Sequence, residues 1–188
     1  GFFIKKFFAK NQKIFVVTVD ITINVRYTMA VIKKITTHFL EVTMMKKIAI
    51  VCAAGKEGRL LVDEAVAHGY DVTGIVRRGG NVANPAAKKL EKDLFELTGE
   101  DLAGFDVVID AFGAWTPETL PLHKTSLRHL CDALSGTKTR LLVVGGAGSL
   151  YVNPEHTMQV KDLESFPDAF KPLANNMGEA LAELRKRD

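Results

Sequence analysis

Cysteine is scarce: Cys52 and Cys131 are the two in 188 residues. They stand far apart, and no Cys or His sits at ligand spacing around either, which argues against a disulfide framework and a zinc site. No metal is expected, and each thiol reads as a small apolar residue. Long apolar runs are missing as well. Asp20, Asn24 and Arg26 interrupt the most hydrophobic stretch, so no segment reaches the roughly 18 residues a spanning helix needs. No membrane partner is expected. Basic charge is concentrated rather than spread: residues 1–44 hold seven Lys and Arg against two acids, and residues 45–188 hold 18 against 20. The larger part lacks the basic stripe that a phosphate backbone demands, which excludes nucleic acid as the expected partner. Together these absences point to a reducing, cytoplasmic setting.

With 47% hydrophobic and 25% charged residues, the chain can bury a substantial core, and its length suits one ordinary domain. Two segments differ in character. Residues 14–26, IFVVTVDITINVR, alternate apolar and polar with period two, as a half-buried strand does. Met44-Met45-Lys46-Lys47 looks like a natural start, so residues 1–44 are expected to be an N-terminal extension outside the fold. From Lys46 onward strands and helices alternate. The β-branched run KKIAIVCAAG is a buried parallel strand. GRLLVDEAVAHGY is a helix stopped by Gly69, and DVTGIVRR is a second strand, completing a βαβ unit. A third, polar strand falls around Lys89–Lys92. A fourth spans Asp106–Ala111, followed by a helix over residues 117–134. TRLLVVGGAG is the fifth strand, and Pro172 opens a last helix. The alternation predicts a doubly wound parallel sheet with helices on both faces, a three-layer Rossmann-like α/β fold.

The strand-to-helix turn Cys52-Ala53-Ala54-Gly55-Lys56-Glu57-Gly58 is where a dinucleotide pyrophosphate would sit. Small residues let backbone N–H groups approach phosphate oxygens, and the helix N-terminus favours negative charge. Cofactor choice is read about 20 residues further on, where an acid would accept the ribose hydroxyls of NAD. The residues there are Arg77 and Arg78, whose guanidinium groups instead suit a 2′-phosphate, so NADP(H) is expected ahead of NAD(H).

This turn, the strand ending IVRR, and the later DVVIDAFG and LLVVGGAGSL resemble the atypical short-chain dehydrogenase/reductase group of NAD(P)H-binding proteins, with NmrA-like and biliverdin reductase B-like proteins as the nearest likenesses. The resemblance covers about residues 46–188, marking residues 45–188 as an NAD(P)-binding Rossmann domain. It implies strand order 3-2-1-4-5, with Asp93 and Leu94 beside the adenine, and Ala111, Phe112 and Gly113 along the ribose and nicotinamide side. Members of the group usually read Gly-Ala-Thr-Gly-x-x-Gly at the turn; here Cys52 replaces the first Gly and Ala54 the Thr, so Cys52 must tolerate a geometry Gly takes without strain. Relatives also continue past the last helix, which implies that this chain is C-terminally truncated, with later strands missing.

Typical short-chain dehydrogenases use a Tyr-x-x-x-Lys pair, in which Lys lowers the phenol pKa and Tyr moves the proton. The chain has none: Tyr151 is followed four residues later by Glu155. Ser149, after Gly145-Gly146-Ala147-Gly148, stands near the position where relatives keep a polar residue facing the nicotinamide, and is the one catalytic candidate. His123 reads as a helix-surface residue and His156 as a loop residue. Trp115 and Tyr151 read as cleft lining, and residues 151–170 as a lid. The resemblance implies an NADPH-dependent reductase of a flavin, quinone or other small carbonyl compound, with a small-molecule acceptor as its partner and a monomer or weak homo-oligomer as its state. A non-catalytic NmrA-like redox sensor is the alternative, and an NAD-dependent epimerase or dehydratase the third reading.

Overall fold

A computed structural model describes residues 47–187 together with the backbone of Ile14–Val19. The strands are β1 (Ile14–Val19), β2 (Lys47–Val51), β3 (Asp71–Val76), β4 (Lys88–Glu91), β5 (Val107–Asp110) and β6 (Arg140–Gly146). All pair in parallel in the order β1-β6-β5-β2-β3-β4. From β2 onward this is the expected 3-2-1-4-5 arrangement. Of the N-terminal extension, β1 alone is described; it runs beside β6, with Ile14 opposite Leu141 and Val19 opposite Gly146. The strand next to β6 thus comes from the N-terminal side of the chain rather than from beyond the last helix. Residues 20–26 of the expected strand lie outside the described residues.

The helices are α1 (Lys56–Ala67), the one-turn α2 (Gly99–Leu102), α3 (Leu122–Leu134) and α4 (Lys171–Leu184). Period-two alternation in the strands divides the core between the two faces of the sheet. Ile48, Ile50, Val72, Val76 and Leu142 meet Val62 and Ala65 of α1 on one face. Ala49, Val51, Ile75, Val108 and Val143 meet Leu102, Leu127, Leu130 and Leu184 on the other. Both faces are covered, which is why the inner strands read as continuous apolar runs.

Local chemistry sets the boundaries. Gly69, at φ +76°, ends α1: its N–H donates to Val66 O and the Tyr70 N–H to Ala65 O, a Schellman closure that needs a left-handed residue. Helix α3 starts at Leu122 rather than at residue 117, because Pro121 lacks the N–H that an interior helical position must donate. Lys124–Glu179, Arg128–Glu183 and Arg187–Asp132, at 2.6–2.8 Å, repeat every fourth residue and fix α3 against α4 in register. The polarity of β4 follows from its place at the edge, where Lys88 pairs with Asp71 and a charged strand discourages further pairing. Helix α2 is an element the hydrophobic pattern does not reveal. Its signal is the capping box of Thr98 and Asp101, each side chain bonding the other's backbone N–H. Among the described residues no helix is long and apolar enough to cross a membrane.

Candidate functional site

The β2–α1 turn lies at the carboxyl edge of the sheet, beside the reversal in strand order between β2 and β5, where open α/β sheets bind their ligands. Cys52 adopts φ +60°, so a side-chain-bearing residue does occupy the left-handed position. The Ala53 N–H is tied to Ile75 O, and the Gly55 N–H to Cys52 O. Arg59 makes the first bond of the helical ladder, to Gly55 O, which leaves the amides of Lys56, Glu57 and Gly58 ahead of it. No side chain caps them. A Cβ on Gly55 would come within 3.2 Å of Cys52 O, and Gly58 has no room for one at all. A small-residue cradle with free amides at a helix N-terminus is the donor set a pyrophosphate needs.

The charges of Asp110, Arg77 and Asp93 all act on the Cys52 thiol, which places the expected residues Arg77 and Asp93, together with Asp110, around one turn. Burial is the main force pushing that thiol up to about 12; Asp110 and Asp93 add to it and Arg77 opposes it. Arg77 and Arg78 are both exposed beyond β3, and among the described residues neither is paired with a carboxylate. Gly79, at φ +74°, turns the chain sharply after them, and the Gly80 N–H closes on Arg77 O. Asp93 spends one carboxylate oxygen on the Phe95 N–H, capping a single 3₁₀ turn. Leu94 is buried in the core. Ala111 is anchored to Val51 O, while Phe112 is half-buried and Gly113 exposed.

A second group of polar residues gathers under the β5 and β6 strand ends. Asp110, His123, Ser126 and Ser149 line a cavity of about 30 Å³ whose other walls include Leu127 and Val143. Burial lifts the Asp110 carboxyl to about 6, with the Phe112 N–H at Asp110 Oδ1 partly offsetting it. His123 is not on the helix surface as its sequence position suggested: it is 7% exposed. Its Nε2 stands 3.0 Å from Ala114 O and 3.3 Å from Ala114 N, donating to the first in one tautomer and accepting from the second in the other; Phe112 meets its ring edge-on, and burial lowers its pKa. Ser149 lies in a 3₁₀ turn with Oγ donating to Gly146 O. Asp110 and Ser126 do not appear among the sequence candidates, and His123 appears there only as a helix-surface residue. The available signal is a carboxylate ending the otherwise apolar strand VVID.

Trp115 is 58% exposed just beyond Gly113. Tyr151 stacks on His156, with ring centroids 4.8 Å apart, and bridges to Gln159, so the start of the 151–170 segment is a folded hairpin. Among the described residues no group of His, Cys, Asp or Glu forms a metal site.

The fold is a Rossmann-like domain with a small-residue turn at the N-terminus of α1. No family model matches the chain. The uncharacterized protein YwnB of Bacillus subtilis (strain 168) is 46% identical over 143 residues, covering 76% of this chain and 67% of that protein. A candidate NADH-flavin reductase of Streptococcus pneumoniae TIGR4 superposes with a TM-score of 0.70 at 47% identity, covering 75% of this chain and 67% of that one. A candidate exported protein of Burkholderia pseudomallei gives 0.63 at 34% identity, with 74% and 66% coverage. The chain thus spans about two thirds of the length of each relative. It belongs to the atypical short-chain dehydrogenase/reductase family of NAD(P)H-binding proteins.

Proposed function

We infer that the protein is an NADPH-dependent oxidoreductase that reduces a flavin, a quinone or another conjugated carbonyl compound. The observation that carries this reading is the uncapped N-terminus of α1 behind Gly55 and Gly58, with Arg77 at the same turn. The residues fit the cofactor: the amides of Lys56, Glu57 and Gly58 receive the pyrophosphate, and the Arg77 and Arg78 guanidinium groups receive the 2′-phosphate. Asp93, through its backbone neighbours and remaining carboxylate oxygen, and the Ala111–Gly113 segment flank the adenine and nicotinamide ends. Bound there, NADPH supplies a hydride; the chain orients it and keeps water away. The description of the pneumococcal relative as a flavin reductase supports a flavin-type acceptor, and its NADH label makes the 2′-phosphate preference the point to test. A cytoplasmic location accompanies this reading.

Calorimetric titration with NADPH, NADP and NADH, followed by NADPH oxidation with flavin and quinone acceptors, tests it. Tight NADPH binding with turnover is expected. Binding without turnover of any acceptor would favour the sensor reading, which the absence of a Tyr-x-x-x-Lys pair and the apolar α4 wall of the cavity, Met177 and Leu181, support.

A further inference from the structure

Asp110 closes β5, one residue before the segment assigned above to the nicotinamide side, and its carboxyl lines the same cavity as Ser149. The cavity has room for water, and Asp110, His123, Ser126 and Ser149 line it with polar groups. The titratable groups around the carboxyl are few. Cys52 on the β2 turn and Cys131 on α3 are thiols pushed up to about 12 and about 11, mainly by burial. His123 on α3 spends Nε2 on the Ala114 backbone, and burial disfavours its cation. From β6 and α4 the cavity receives Ser149, glycines and apolar side chains. Arg77 and Asp93 stand around the same turn, but what moves the Asp110 carboxyl is its own burial, opposed by the Phe112 N–H.

We propose that Asp110 is the buried proton source for acceptor reduction, passing its proton through the cavity to Ser149 Oγ and on to the acceptor. The assignment rests on the oxidoreductase reading. It fills the role for which the chain has no Tyr-x-x-x-Lys pair. For a carbonyl acceptor the balance is one hydride and one proton: the hydride adds to the acceptor as NADPH is oxidised to NADP⁺, the carbonyl π bond opens, and its oxygen gains a hydrogen. The Asp110 O–H bond breaks, and the carboxylate that remains is reprotonated from solvent. Ser149, whose hydroxyl already donates to Gly146 O, gives up one proton as it takes another.

Two measurements on the full chain test the proposal. Carbon-13 NMR of Asp-labelled protein reads protonation without turnover: one carboxyl should titrate near pH 6, and its resonance should be absent in Asp110→Asn. With a quinone acceptor and saturating NADPH, wild-type kcat should fall as pH rises through that titration and show a solvent isotope effect. Asp110→Asn should lose about 10²-fold in kcat at pH 6 together with that pH dependence, while keeping its NADPH Kd within about twofold. An Asp110 resonance that titrates in the ordinary carboxylate range overturns the proposal even if the variant fails to fold. Wild-type kcat and pH profile in Asp110→Asn overturn it and leave the oxidoreductase reading standing. NADPH binding with no reduction of any acceptor by wild type overturns both.

Discussion

A Cβ built on Gly58 would stand 2.3 Å from the carbonyl oxygen of Cys52 and 2.8 Å from Cα of Ala53. Both neighbours are backbone, so neither can rotate aside, and helix α1 would have to move off the turn. Gly58→Ala should therefore cost about 2 kcal/mol or more of stability and weaken NADPH at least tenfold. Denaturant midpoints and calorimetric Kd values check the two effects.

Cys52 sits at φ +60° and packs against the core beneath α3. Replacement by Gly relieves a left-handed cost of about 1–2 kcal/mol but loses packing and adds freedom to the unfolded chain, so stability should stay within about 1 kcal/mol of wild type. Cys52→Val, β-branched at the same dihedral, should destabilise by about 2 kcal/mol or more. Thermal unfolding of the pair separates a backbone requirement from a side-chain one.

The thiols should be inert. Burial raises Cys52 to about 12 and Cys131 to about 11, so almost no thiolate exists at pH 8. Native protein should resist iodoacetamide at that pH, while denatured protein takes up two equivalents; mass spectrometry counts them.

Arg77→Glu should raise the NADPH Kd by about tenfold or more and change NADH much less, because the lost bond is a charge-assisted one to the 2′-phosphate. Equal losses for the two cofactors would show that Arg77 does not read that group.

The Asp110 carboxyl is higher in the folded protein, about 6, than in the unfolded chain. The folded state therefore holds more protons between roughly pH 4 and 6, and stability is lost as pH rises through that window. Asp110→Asn removes this dependence and can still accept the Phe112 N–H, so it should be about 1–3 kcal/mol more stable than wild type at pH 8 and about equal near pH 4. Chemical denaturation across that range checks the sign.

The order β2-α1-β3-β4-β5-α3-β6-α4 is legible in the sequence because elements carry their own period or stop, as with Gly69 after α1 and Pro172 opening α4; the start of α3 is the exception, since the pattern runs back to residue 117 and the helix begins after Pro121. The turn is legible for the same reason, since Gly55 is the N-cap residue of α1 and Gly58 lies in its first turn. His123 was misleading because a histidine flanked by Leu122 and Lys124 gives no sign of which face will be covered. Its burial and its bond to the Ala114 backbone arise only when α3 packs on the sheet.

By itself, then, the sequence determined what depends on neighbours within a few residues: the parallel α/β alternation, the glycine-bearing turn before α1 and the basic end of β3. Tertiary structure alone decided what depends on desolvation and long-range pairing. It set β1 beside β6, put the charges of Asp93, Asp110 and Arg77 around the Cys52 thiol, and closed an apolar wall around Asp110, Ser149 and His123. A carboxyl's proton affinity follows from the solvent it has lost, and that loss is fixed only when residues distant in the chain pack over it.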